Sequence, residues 1–108
     1  MGEGEPDDVS EGIATDPDGA LKGLKKRSLR FEAMRVLVAG WAGDPAILSS
    51  LREIATTDPD GWVRVSATDA VAIGWPEDPA TLPLLQDRAV ADPEVMVRKA
   101  AELAIEAS

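Results

Sequence analysis

The sequence contains no cysteine, no histidine and no tyrosine, and only one phenylalanine. Without a thiol there is no disulfide and no cysteine nucleophile. Without imidazole, the commonest general base and the commonest nitrogen ligand for zinc are both missing. Long apolar runs are absent too. The longest, Val36 to Ala42, falls far short of the roughly 20 residues that cross a bilayer. The opening residues are acidic and carry neither the cationic start nor the apolar centre of a secretory signal, so a cytoplasmic protein without a membrane anchor is expected.

What remains is aliphatic and charged. Hydrophobic residues make up 44% of the 108 and charged residues 29%, a globular balance, with aromatics at 4% and alanine supplying much of the apolar content. Alanine is the best helix former, so this composition favours helix over sheet. The length suits one small domain with a modest core.

The formal charge of -9 is unevenly distributed. Residues 1–18 hold Glu3, Glu5, Asp7, Asp8, Glu11, Asp16 and Asp18 and no cation. Residues 22–35 reverse the sign, with Lys22, Lys25, Lys26, Arg27, Arg30 and Arg35 against Glu32 alone. Acidic groups dominate again from residue 36 onward. Such a chain repels phosphate backbones and anionic membranes over most of its surface. Residues 1–15 are expected to be an acidic disordered tail.

A period of 34 organises the rest. Gly40-Trp41 recurs as Gly74-Trp75, Asp44-Pro45-Ala46 as Asp78-Pro79-Ala80, and Asp58-Pro59 as Asp92-Pro93. Arg30, Arg64 and Arg98 form one triplet and Ala33, Ala67 and Ala101 another. Residues 30–63 and 64–97 share 13 identities without a gap, and that constancy of register marks a repeat architecture.

Each unit reads as two helices separated by Asp-Pro. Asp44 and Asp78 are expected as N-caps with Pro45 and Pro79 at the first helical position, and the same device is expected near Asp58 and Asp92. The first helices span about 45–56 and 79–91, with an apolar stripe at Ile47, Leu48, Leu51, Ile54 and Ala55, then at Leu82, Leu84, Leu85, Ala89 and Val90. The second helices span about 61–73 and 94–107, with small residues inward at Ala67, Ala70, Ala101 and Ala104. An equivalent second helix runs from about 28 to 39, and a short irregular one is expected between 17 and 26. The expectation is about five helices in an all-α, right-handed solenoid over 16–108, with a partial first repeat at 16–43, a second at 44–77 and a third at 78–108.

Asp58 to Ala67 and Asp92 to Ala101 both fit the pattern D-P-x-x-x-V-R-x-x-A, and with it the chain resembles HEAT-like helical repeats of the short bacterial type. The Gly-Trp linkers are also similar to arrays behind the nucleotide-hydrolysing module of large actinobacterial regulatory proteins. The resemblance implies a non-catalytic scaffold that binds a protein or peptide. In such a family the Asp-Arg pairs are structural, the Asp capping the second helix and the Arg reaching a neighbouring Asp or helix end. A second implied role is an accessory subunit or lyase-like chaperone for a small molecule.

Candidate sites follow. Trp62 aligns with Ser28 and Met96, so it is not set by the repeat. It shares a helix row with Ser66, Asp69 and Ile73, and the matching row of the last helix is Met96, Ala100, Leu103 and Ala107. Variable positions on the second helices are where solenoids place recognition surfaces. Trp62, Ser66, Asp69, Met96 and Leu103 are therefore the expected partner-binding residues. The alternative is an anion or nucleic-acid site built from Lys22, Lys25, Lys26, Arg27, Arg30 and Arg35. Only Phe31 is interleaved there for base stacking, which argues against nucleic acid. The carboxylate pairs Asp7-Asp8, Asp58 with Asp60, and Glu77-Asp78 fall in turns or tail; neither a calcium loop nor a phosphate loop is present, and no catalytic residue, metal or cofactor is expected. The chain ends in phase with Gly74, before another linker would begin, and its last apolar row carries no polar cap. Self-association through the C-terminal repeat, or an origin in a longer array, is the expectation.

Overall fold

Asp44 shows how this chain starts a helix. Its carboxylate accepts from the Ala46 and Ile47 amides at 2.8 and 3.3 Å, and Pro45 follows at the first helical position, where no amide proton is needed. A computed structural model describes residues 16–107; the acidic segment 1–15, and the disorder expected of it, lie outside the described residues. Among the described residues six helices follow in order: α1 (Pro17–Gly23), α2 (Arg30–Trp41), α3 (Pro45–Thr57), α4 (Gly61–Gly74), α5 (Thr81–Ala91) and α6 (Val95–Ala107). The expected number was about five. The sixth is α1, where Asp16 caps through the Gly19 amide and the segment thought irregular closes into a regular helix.

The other three Asp-Pro sites differ from the expected caps, each for a visible reason. At Asp78-Pro79 the helix begins two residues late. Pro83 has no amide proton to give to the Pro79 carbonyl, so the first bond of the turn runs from Leu84 to Ala80 at 3.2 Å, and Asp78 instead closes a tight turn onto the Ala80 amide. Thr81 then donates its hydroxyl to the Trp75 carbonyl at 2.6 Å. The inward stripe of α5 becomes Thr81, Leu84, Leu85 and Arg88, which leaves Leu82 and Val90 exposed rather than buried. Asp58 and Asp92 end α3 and α5 rather than starting α4 and α6. Their side chains accept from the amides two residues on, Asp60 and Glu94, both at 2.9 Å, and the cap of α4 passes to Asp60.

The helices pack in two layers. Consecutive second helices, α2 on α4 and α4 on α6, lie against each other, whereas the first helices α1, α3 and α5 approach one another much less closely. Fully buried Ala67 and Ala101 make the close approach possible. The described chain is accordingly elongated, 49 × 27 × 21 Å. Between the layers Leu37, Leu51, Val63, Val71 and Val97 are sealed from water, each contributing about 1.5–3 kcal/mol. Trp75, also buried, donates its indole N–H to the Asp44 carbonyl at 3.0 Å and ties one Gly-Trp turn to the preceding one.

The arginine triplet forms a backbone clamp. Arg30, Arg64 and Arg98 each donate to the carbonyl six residues before, on Leu24, Asp58 and Asp92, at 2.8, 2.7 and 2.7 Å. Arg64 goes further and grips the Asp92 carboxylate with two bonds of 2.9 and 3.1 Å, while Arg88 adds a third at 2.8 Å. Asp92 is 1% exposed and Arg64 6%. The pattern anticipated for Arg64 is present; Arg88 was not anticipated, because its repeat counterpart is Ile54.

Removing Asp92 would leave the buried Arg64 guanidinium without a carboxylate and Arg88 with Asp87 alone, so Asp92→Ala should lower the unfolding free energy by about 3–5 kcal/mol in a denaturant titration. Burial alone pushes the Asp92 carboxyl up, but its bonds from Arg64, the Glu94 amide and Arg88 outweigh burial and hold it below the usual carboxylate value. The unfolded chain therefore takes up this proton first as pH falls. The stability contributed is complete above about pH 4 and drains away as pH drops through the depressed folded value. Asp92→Asn should flatten that acid limb of the pH–stability curve.

Candidate functional site

Large apolar side chains that remain in water concentrate on the second helices. Phe31 on α2 is 69% exposed, Trp62 and Ile73 on α4 are 57% and 56%, and Leu103 on α6 is 61%. Ile73 forms a ridge between two open grooves. On one side a groove of about 390 Å³ lies between α2 and α4, lined by Phe31, Met34, Arg35, Val38 and Ala39 with Ile73. On the other, a groove of about 430 Å³ lies between α4 and α6, lined by Asp69, Ala72, Pro76, Ala100, Leu103, Ala104 and Ala107 with Ile73. Together they make one apolar valley crossing three helices.

The 34-residue phase explains why these residues meet. Arg35, Asp69 and Leu103 occupy one repeat position, Ala39, Ile73 and Ala107 another, and Val38 and Ala72 a third. The first two positions face a groove wherever they occur; the third does so at Val38 and Ala72 but not at its last copy, Glu106. The helix rows expected to carry Asp69 and Leu103 are brought together in the α4–α6 groove. Phe31 and Val38 lie outside the row that Trp62, Ser66, Asp69 and Ile73 project back one period, which falls on Ser28, Glu32, Arg35 and Ala39.

The upper part of the expected row is arranged differently. Asp60 accepts from the Trp62 amide at 2.8 Å and so fixes the Trp62 backbone in the first turn of α4, beside Arg27 and Arg30 in a groove of about 350 Å³. Ser66 is buried, its hydroxyl donating to the Trp62 carbonyl at 3.2 Å, and it offers nothing to a partner. Met96 lies half-buried over Gly61, so close that a Cβ there would meet the Met96 methyl. Trp62 and Met96 therefore do not line the valley beside Ile73.

Asp69 is the one charged group of the α4–α6 groove. It stands in mid-helix, where an aspartate caps nothing, and no hydrogen bond or ion pair reaches its carboxylate among the described residues. Burial pushes its carboxyl above the ordinary value.

The six cations of the basic segment do not share one face. Lys22 and Lys25 line a groove against α3, where Lys25 pairs with Asp58 at 3.1 Å. Arg30 is held on the Leu24 carbonyl, and Arg35 faces the α2–α4 groove while pairing with Glu32 at 3.4 Å. Lys26 and Arg27 are exposed in the α1–α2 turn. Among the described residues no cluster of carboxylates is placed to hold a metal ion, and no helix is long and apolar enough to cross a membrane.

A desolvated, unpaired carboxylate destabilises the fold when ionised. Because the Asp69 value is raised in the folded state, the folded chain keeps its proton to higher pH, and the penalty sets in as pH rises from the unfolded value through the folded one. Asp69→Asn should raise the melting temperature at pH 7 and leave it unchanged below about pH 3, a difference that calorimetry at the two pH values reads directly.

No curated protein and no solved structure matches this chain. The family model for HEAT repeats matches residues 17–106, which is most of the sequence and takes in all six helices except the last residue of α6. With the two-layer stack, the 34-residue phase and the Asp-Arg clamp in place, the chain belongs to the HEAT-repeat family.

Proposed function

We propose that this chain is a non-catalytic scaffold that binds a protein or peptide along the inner face of its second helices. The observation that carries the reading is the valley on either side of Ile73, contributed by α2, α4 and α6. Phe31, Ile73 and Leu103, each more than half exposed along this face, are the kind of apolar side chains that gather at interaction sites. HEAT repeats generally mediate protein association, and a stacked scaffold presents such a face with little ordering cost on binding.

The basic segment supports an anion site less well. Lys25, Arg30 and Arg35 are already engaged within the protein, and five of the six cations are divided among three grooves, with Lys26 exposed in the α1–α2 turn. A small-molecule role has less support than a protein partner, since the grooves are open troughs and the α4–α6 one offers a single charged group.

The double variant Ile73→Ser with Leu103→Ser tests the reading. Both side chains are more than half exposed, so stability should change by no more than about 0.5 kcal/mol per site. Affinity capture from an extract of the source cell, compared quantitatively between wild type and variant, should show the retained proteins falling by about an order of magnitude. Equal retention by a correctly folded variant would refute the valley as the binding face.

A further inference from the structure

We propose that the α4–α6 groove receives a cationic amphipathic helix of a partner protein, with a lysine or arginine of that helix seated on the Asp69 carboxylate. The proposal rests on the protein-binding reading above and names the chemistry of the partner.

Three observations carry it. First, no role within the fold explains Asp69: it caps no helix and has no partner among the described residues, and its repeat counterparts are Arg35 and Leu103, so the repeat does not require a carboxylate there. An aspartate in mid-helix is also a poorer helix former than alanine. Second, everything else lining the groove is apolar, so a cation placed there meets one acceptor and packs its aliphatic stem against alanine and leucine. Third, α6 offers Ala100, Leu103, Ala104 and Ala107, a helical stripe open to the groove. Three of its four side chains are methyl groups, which lets a helix axis come close. The stripe runs about 10 Å, two turns of an occupant helix.

Charge selects among occupants. The segment 1–15 carries five carboxylates and no cation, so Asp69 repels it. The chain as a whole stands at -9 and attracts a basic partner while opposing a second copy of itself.

The test uses three synthetic 14-residue helices of alanine, leucine and glutamine that differ only at one central position, which is lysine, glutamine or glutamate. Each is titrated into the full chain, and the methyl resonances of Ala100, Leu103 and Ala104 are followed by NMR. The expected result is that the lysine helix moves these methyls and binds about fivefold tighter than the glutamine helix, with the glutamate helix weakest. In Asp69→Asn the preference for lysine should vanish while the glutamine helix binds as before.

A lysine preference that survives Asp69→Asn would overturn the proposal, since the cation would then sit elsewhere. Equal binding of all three helices with the groove methyls moving would also overturn it, yet leave the protein-binding reading intact. If none of the helices moves those methyls at millimolar concentration, the proposal and the α4–α6 part of that reading both fail. Methyl shifts that depend on protein concentration without peptide would identify a second copy as the occupant instead.

Discussion

A carboxylate sealed from water between two guanidinium groups has few alternative states, and the rest of this structure depends on that fact. Asp92 takes two bonds from Arg64, one from Arg88 and one from the Glu94 amide. Arg64 is itself pinned to the Asp58 carbonyl one repeat earlier. The guanidinium plane thus spans the turn after α3 and the turn after α5, and its fork is satisfied only in one register of the two pairs. A buried ion pair adds little net stability over a well-packed apolar substitute. Its contribution here is positional: apolar contacts are non-directional, whereas a two-bond guanidinium–carboxylate pair fits one offset between repeats.

The proposed binding surface is a consequence of that register. The α4–α6 groove exists because α4 and α6 are held at a set offset, so that Asp69 and Ile73 on one face Ala100, Leu103 and Ala107 on the other. The same residues that make the fold thin leave its inner face open. Small side chains bring the second helices together behind the surface, and the larger ones, Phe31, Trp62, Ile73 and Leu103, stand out from it. The α4–α6 groove, with its single carboxylate, would discriminate by shape and by one charge.

Much of this was legible in the sequence because a gapless 34-residue period constrains many positions at once. The helix pairs, the second-helix layer and the inward Ala67 and Ala101 all follow from it, while the reach of Arg64 to a neighbouring Asp is what the resemblance to HEAT-like repeats implies. The misses have local causes. Pro83 delays α5 because its missing amide proton would have served the Pro79 carbonyl, a cost invisible in the Asp-Pro motif itself. Ser66 turned inward because a small hydroxyl can satisfy itself on the Trp62 carbonyl and fill the tight space between helices. Gly61 left room that Met96 entered, which drew Met96 out of the expected surface row. Arg88 belongs to one repeat only, and periodicity cannot report what it does not repeat. Asp69 and Leu103 were reachable by helix spacing, but their meeting across two helices depends on the offset between α4 and α6, which no single helix encodes.

Native-state hydrogen exchange tests the central claim that the Arg64–Asp92 clamp makes the two full pairs one mechanical unit. The account predicts that the inward amides of α4 and α6, at Ala67, Val71, Val97 and Ala101, exchange through the same global opening with a common free energy. If Val97 and Ala101 instead exchange through a separate, much cheaper opening while Ala67 and Val71 stay protected, the third pair is an appendage, and the fixed valley built on it does not hold.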